Sequence, residues 1–243
     1  MPEQLWFTEI LNRLFAGPVD ALLNAIGIHP EYPQAPISNA VAMQLLVVLF
    51  LLAFFLLVRS RLSVDQPRAL QHIVEGTEDF VTNQSSEIIG HHSEGFTGFL
   101  VALGLFILIS NLLGLIPGFE SPTAVPTVPL GCALVAFFYY HVQGVKRQGL
   151  AYFKHFAGPM LALAPLMIPI EIISHLARVL SLTIRLYANM FAGDMVTLVF
   201  FSLVPVLVPA LFLGLHIGVS LLQAYIFVLL TTVYLAGAVA EEH

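Results

Sequence analysis

The chain has 243 residues, 58% of them apolar and 10% charged, and its 9 Lys and Arg against 15 Asp and Glu leave a net charge of −6. An ordinary soluble domain carries about 25% charged residues, so most soluble folds, disorder and coiled coils are excluded. The acidic balance gives no basic surface for nucleic acid, and a single cysteine, Cys132, excludes a disulfide framework or a cysteine metal cluster. What remains is an all-α polytopic membrane protein.

In chain order, residues 1–40 read as an N-terminal segment outside the membrane. Glu3 and Glu9 stand where a secretory signal would be basic, and Pro30, Pro33 and Pro36 predict an extended approach to the first span. Residues 41–58 form that span, closed by Arg59 and Arg61. Residues 65–95 are too polar to cross. Leu70, Ile73, Val74, Val81, Ile88 and Ile89 recur at helical intervals, which predicts an amphipathic helix lying at the interface. Residues 96–142 read as a helical hairpin, its first arm ending at Pro117-Gly118 and its second followed by Lys146 and Arg147. The remaining residues, 161–240, fall into two long apolar segments. As straight helix these would measure about 66 Å and about 51 Å, against a hydrocarbon core of about 30 Å. Each must break, tilt or project beyond the membrane. The whole reads as one membrane domain of about five crossing helices, with no internal repeat.

Basic residues set the expected orientation. Arg59, Arg61 and Arg68 follow the first span, and Lys146, Arg147 and Lys154 follow the third; the loop at 117–127 carries Glu120 and no Lys or Arg. The N-terminus is then outside, and five crossings put Glu241, Glu242 and His243 in the cytoplasm. With no transit peptide visible, a bacterial inner membrane is expected over an organelle membrane.

Polar residues in the first long segment are not scattered. Glu171, Ser174, His175, Arg178, Ser181, Arg185 and Asn189 fall within roughly 120° of one another on a helix, with Asp194 on the flank. Ionised side chains at the centre of a spanning helix cost about 2.5–3.5 kcal/mol each. Such a stripe therefore needs water, internal pairs or a partner protein. A buried structural network, or snorkelling by Arg178, is the alternative reading; Arg185 lies too far from either end of its segment to snorkel. The second segment carries His216, Ser220, Gln223, Thr231 and Tyr234 on one face. Pro205 and Pro209 bracket the turn, and an antiparallel hairpin folded there pairs Asp194 with His216 and Arg185 with Gln223.

Arginine keeps its charge when desolvated, so it suits a fixed cation better than a proton carrier. It favours the ionised form of a carboxylate brought beside it. Asp194 and His216 can change protonation, and Ser220, Gln223 and Asn189 can hold water. The pattern describes a proton path ending near a fixed positive charge. Catalytic motifs are missing: there is no phosphate loop, HExxH or GxSxG. His91-His92 with Glu87 and Glu94 reads as an interfacial histidine pair more than a metal site. No cofactor is expected.

The run Ser181-Leu182-Thr183-Ile184-Arg185-Leu186-Tyr187-Ala188-Asn189-Met190-Phe191-Ala192-Gly193 resembles subunit a of the membrane sector of F-type ATP synthases. The likeness returns at His216, at Leu222-Gln223-Ala224-Tyr225-Ile226-Phe227, at Leu230-Thr231-Thr232-Val233-Tyr234-Leu235, and at Asn111–Gly118 with Ser121-Pro122-Thr123. Many members of the family have Phe-Gly where this chain has Tyr187-Ala188, and Glu or His where it has Asp194.

The resemblance implies a noncatalytic stator beside a rotating c-ring, with two offset half-channels that bring protons to and from ring carboxylates and so couple proton flow to rotation. It implies that Arg185 is the essential arginine separating them. Asn189, Asp194, His216 and Gln223 would line the outer half-channel, and Glu171, Ser174, His175 and Ser181 the path toward the cytoplasm. It also implies that the last two helices tilt strongly around the ring. The implied partners are the c-ring, a b-type peripheral stalk, the rest of the F1Fo complex and membrane lipid. An autonomous channel or secondary transporter, and a scaffold whose polar stripe only packs helices, are the rival readings.

Overall fold

The computed structural model describes residues 4–27, 29–30, 32–63, 69–90, 93–116, 118–149, 152, 164–203 and 207–240. Arg68, His91, His92, Pro117, Lys154, the Pro205 turn and Glu241–His243, all singled out from the sequence, lie outside these residues. The described residues form seven α-helices: α1 (Trp6–Ala25), α2 (Asn39–Ser60), α3 (Ala69–Ile89), α4 (Glu94–Leu113), α5 (Thr127–Gln148), α6 (Ala164–Leu203) and α7 (Leu207–Val239). Among them α2, α4, α5, α6 and α7 are long and apolar enough to cross a bilayer. The protein is an all-α, multi-pass membrane protein.

The N-terminal segment holds more than an extended approach. Helix α1 continues through Pro18, and its Asn12 is buried with both amide atoms spent on one residue. The Asn12 Nδ2 donates to the Ile37 carbonyl and the Ile37 N–H donates to Asn12 Oδ1, each at 3.0 Å. Trp6, Ile10 and Leu14 share a face and stay exposed. Acidic residues and Gly17-Pro18 interrupt the apolar pattern, which is why the sequence alone does not announce this helix.

Helix α2 begins at Ser38, whose Oγ accepts from Val41 N–H at 3.4 Å, a standard way to satisfy a free N-terminal donor. It buries Ala42, Met43 and Val47 and exposes Leu45, Val48, Leu49, Leu52 and Leu56. In water that exposed stripe would be costly; against lipid tails it is not. Helix α3 spans 69–89 within the expected 65–95, and Gly90 ends it at φ +88, a conformation that favours glycine. It buries Val81 and Ser85 and reaches α7 through a hydrogen bond from Tyr225 Oη to Gln84 at 3.2 Å.

The connection from α4 to α5 is held by a buried polar network. Thr123 Oγ1 donates to Asn111 Oδ1 at 2.6 Å, Ser121 Oγ donates to the Ser110 carbonyl at 3.1 Å, and Asn111 Nδ2 donates to the Ser220 carbonyl on α7 at 3.4 Å. Every member of such a network needs a partner when buried. This explains the Asn111 and Ser121-Pro122-Thr123 pattern as the clamp that sets the depth of α7. Gly114 is required there, because a Cβ on it would sit 2.8 Å from Ser121 Cβ.

Neither long helix breaks within its described residues. Helix α6 is continuous over 40 residues, with Pro169 in its second turn, and α7 over 33. At 1.5 Å per residue these are about 60 Å and about 50 Å, so tilt or projection must absorb the excess. They run antiparallel in one register. Phe200 stacks on Phe212 at 4.5 Å, Asp194 meets His216 at 3.8 Å, Asn189 bonds Gln223 at 2.8 Å, and Arg178 lies 5.1 Å over the Tyr234 ring. Each pair is centred on residue 205 or 206. Helix α7 is the central element, packed on α3, α4, α5 and α6. The core joins Leu103 and Ile107 of α4, Ala133 and Ala136 of α5, Leu186 and Met190 of α6 and Phe227 of α7. The alanines let α5 approach closely, as helices in lipid require. Helices α4 and α5 touch where Phe99 stacks on Tyr139 at 3.7 Å.

Candidate functional site

The polar stripe of α6 divides into two clusters with Arg185 between them. Toward the α4–α5 connection, Asp194 Oδ1 lies 3.8 Å from His216 Nδ1. That is ion-pair range, and a shift of about 1 Å brings a hydrogen bond within reach. One turn away, Asn189 Nδ2 donates to Gln223 Oε1 at 2.8 Å. His216 and Gln223 are buried, as is Ser220. Two cavities meet here. A 700 Å³ cavity is lined by Glu120, Ser121, Asp194, Thr197 and His216 among others. A second, of 260 Å³, is lined by Asn189, Gly193, Thr197 and His216. His216 thus stands as a shared wall, with Asp194 on one side and Asn189 on the other. Its Nε2 is buried and has no partner among the described residues.

The His216 ring packs closely against α6 at Gly193. A Cβ there would lie 3.0 Å from two ring atoms of His216. Gly193→Ala should therefore push the imidazole away from Asp194 while leaving the helix intact. The expected result is slower passive proton flux through the assembled membrane sector, with normal amounts of the subunit in the membrane. Flux equal to that of the unaltered protein would mean the ring need not sit there.

The second cluster lies where α5 ends and α6 begins. Glu171 Oε1 is 3.3 Å from His175 Nε2, and His175 Nδ1 shares a 2.9 Å hydrogen bond with Tyr140 Oη. A 220 Å³ cavity is lined by Tyr140, Tyr152, Glu171, His175, Arg178 and Tyr234. Arg178 faces the Tyr234 ring inside the protein, which removes the need for it to snorkel. Ser174 is half-buried and Ser181 exposed.

Arg185 is half-buried, and its Nη2 donates to Ser181 Oγ at 3.3 Å. Among the described residues no carboxylate lies within ion-pair distance of it. The expected Arg185–Gln223 pair is not formed. Gln223 is taken by Asn189, four residues nearer the turn, since the hairpin is centred at 205–206 and Arg185 with Gln223 would centre at 204. The Asp194–His216 pairing agrees with that register. Among the described residues no group of three His, Cys, Asp or Glu is placed to hold a metal.

Sequence reasoning passed over Glu120, read only as a marker of orientation, and Tyr140, His141 and Tyr152, hidden in an apolar-aromatic stretch. The one signal for Glu120 was its closeness to the Ser121-Pro122-Thr123 motif.

Comparison with known proteins places these features in context. The family model described as ATP synthase A chain matches residues 41–236. The chain is 59% identical to ATP synthase subunit a of Koribacter versatilis (strain Ellin345) over the full length of both. It is 54% identical to ATP synthase subunit a of Solibacter usitatus (strain Ellin6076), with 96% of this chain and all of that protein aligned. It is 44% identical to ATP synthase subunit a 1 of Pelobacter propionicus, over 89% of this chain and 94% of that one.

Proposed function

The chain belongs to the ATP synthase subunit a family, and from that premise we propose that it is the proton-conducting stator of the rotary complex. The observation that carries this reading is Arg185: a permanent cation, half-buried on a membrane-spanning helix between two clusters of polar side chains, with no carboxylate partner among the described residues. A desolvated charge needs a counter-charge, and a neighbouring subunit's carboxylate supplies it. Protons reach that carboxylate through Asp194, His216, Asn189 and Gln223. They leave toward Glu171, Ser174, His175 and Ser181. Arg185 ejects the proton from each arriving acid and keeps the two paths apart.

The subunit is noncatalytic. One charge crossing 100 mV releases about 2.3 kcal/mol, so synthesis of ATP must gather several such steps in a rotor and spend them at a separate head. The partners are the c-ring, a b-type peripheral stalk and the remainder of F1Fo. The chain acts as one membrane domain in a bacterial inner membrane, N-terminus outside and C-terminus in the cytoplasm. The translocated ion is the proton, since His216 can relay one.

Cross-linking tests the premise about Arg185. Ile184 is 52% exposed and next to it. A cysteine at 184 should form a disulfide with a cysteine placed beside the ring carboxylate in the assembled complex, whereas one at buried Leu186 should not. Failure of the first cross-link in a fully assembled complex would remove the ring from this face.

A further inference from the structure

The inner cluster contains residues to which the proton path as described gives no role. Tyr140 and His141 are neighbours on α5, and Tyr152 lies just beyond its end. The Tyr140 hydroxyl is 2.9 Å from His175 Nδ1, and the Tyr152 hydroxyl is 2.8 Å from His141 Nδ1. The two imidazoles meet edge to face, 4.7 Å between centroids at 72°, and Phe137 packs on the His141 ring at 4.2 Å. Gly144 makes room for this arrangement, because a Cβ there would lie 2.5 Å from the Tyr152 ring. The ionisable groups facing His175 are thus Tyr140, His141 and Tyr152 from the α5 side, Glu171 and Arg178 on its own helix, and Tyr234 from α7.

On the premise that protons leave through this inner cavity, we propose that Tyr140, together with the His141–Tyr152 pair, is a positioning device for proton exit that holds His175 with Nε2 aimed at Glu171. With Nδ1–H donating to Tyr140 Oη, Nε2 is the nitrogen of His175 that takes up and gives away the proton, beside both the cavity and the carboxylate. A hydronium in the cavity gives its proton to Nε2: an O–H bond breaks, an N–H bond forms and water remains. The imidazolium passes that proton to the Glu171 carboxylate 3.3 Å away, and the carboxyl releases it to water. The ring ends in its starting tautomer, and one proton has moved. The cavity of 220 Å³ has room for about seven waters at about 30 Å³ each. Without the Tyr140 hydroxyl either nitrogen can carry the proton, and the ring can turn its N–H toward the cavity, where it accepts nothing.

The test uses the whole F1Fo complex in inverted membrane vesicles, measuring passive proton flux through the membrane sector after the soluble head is stripped. Tyr140→Phe removes one oxygen. It should lower the flux about threefold to tenfold, the scale of one hydrogen bond, and change its pH profile. Added to His175→Gln it should cause no further loss, since Tyr140 acts through that ring. Should Tyr140→Phe block assembly, Tyr152→Phe carries the same expectation on the same readouts. An unchanged rate and pH profile, or a full additional loss on the His175→Gln background, would overturn the positioning role. Arg185→Ala run in parallel separates the premise from the inference. If that variant still makes ATP, the stator reading itself falls; if it does not while Tyr140→Phe conducts normally, only the positioning role falls.

Discussion

Arg185→Ala should abolish proton-driven ATP synthesis while leaving the membrane sector assembled. Assembly survives because the side chain contributes little to the fold: it is half-buried and its described partner is one hydroxyl, Ser181, at 3.3 Å. Losing such a bond costs about 0.5–1.5 kcal/mol. The loss of charge is far larger. At about 4 Å and an effective dielectric near 20, a guanidinium and a carboxylate attract by about 4 kcal/mol, which favours the ionised acid by about three powers of ten. Without that bias an arriving ring acid keeps its proton, rotation carries it past the barrier, and the two paths are joined by a leak. Passive proton flux should persist or rise while synthesis falls to background. Arg185→Lys keeps a charge but gives up the permanently protonated fork, and should restore little synthesis. Coupled synthesis at the normal rate in Arg185→Ala would refute the role assigned to the arginine. Loss of the subunit from the membrane would instead favour the scaffold reading, in which the polar stripe only packs helices.

The second large effect is expected at the outer path. Asp194→Asn keeps the size and polarity of the side chain and removes its ability to carry a proton. With the side chain 34% exposed and facing a 700 Å³ cavity, the substitution should be tolerated by the fold. Proton transfer by a positioned acid or base is worth about 10²–10⁴-fold. Water in a cavity this large offers a partial bypass, so a fall in flux of about tenfold or more is expected, with normal assembly. Asp194→Glu is the informative companion. One added methylene can close the 3.8 Å gap to His216 Nδ1, so this variant should conduct at least as well as the original. Normal flux in Asp194→Asn, measured on membranes stripped of the soluble head, would show that no relay runs through Asp194.

Residues in long apolar segments were the most legible part of this protein. A lipid-facing helix must be apolar over its whole length, so α2, α4, α5, α6 and α7 announced themselves, although α5 runs on past the expected end at Val142 to Gln148. Charge inside such a segment is expensive, which made Arg185, Asp194 and His216 stand out against their neighbours. Helix α1 did not, because an amphipathic helix that need not be apolar all round has no such constraint and Pro18 masks its period. The antiparallel order of the last two helices was also readable, since Pro205 separates two long apolar segments; Pro209 is no interruption, because it falls in the first turn of α7, where proline is tolerated.

Composition and spacing by themselves determined that the chain is a membrane protein with five helices long and apolar enough to cross, and that one of them carries a stripe of ionisable groups. Only the tertiary structure decided which amide partners Gln223, that Arg185 is left with a hydroxyl and no carboxylate among the described residues, and that Tyr140, His141 and Tyr152 gather around His175. The reason is geometric. Helical periodicity tells which face a residue lies on, but a one-turn slide of α7 along α6 preserves every face while exchanging Arg185 for Asn189. The register is seen only in contacts between residues far apart in the chain, the Asn189–Gln223 bond and the approach of Asp194 to His216.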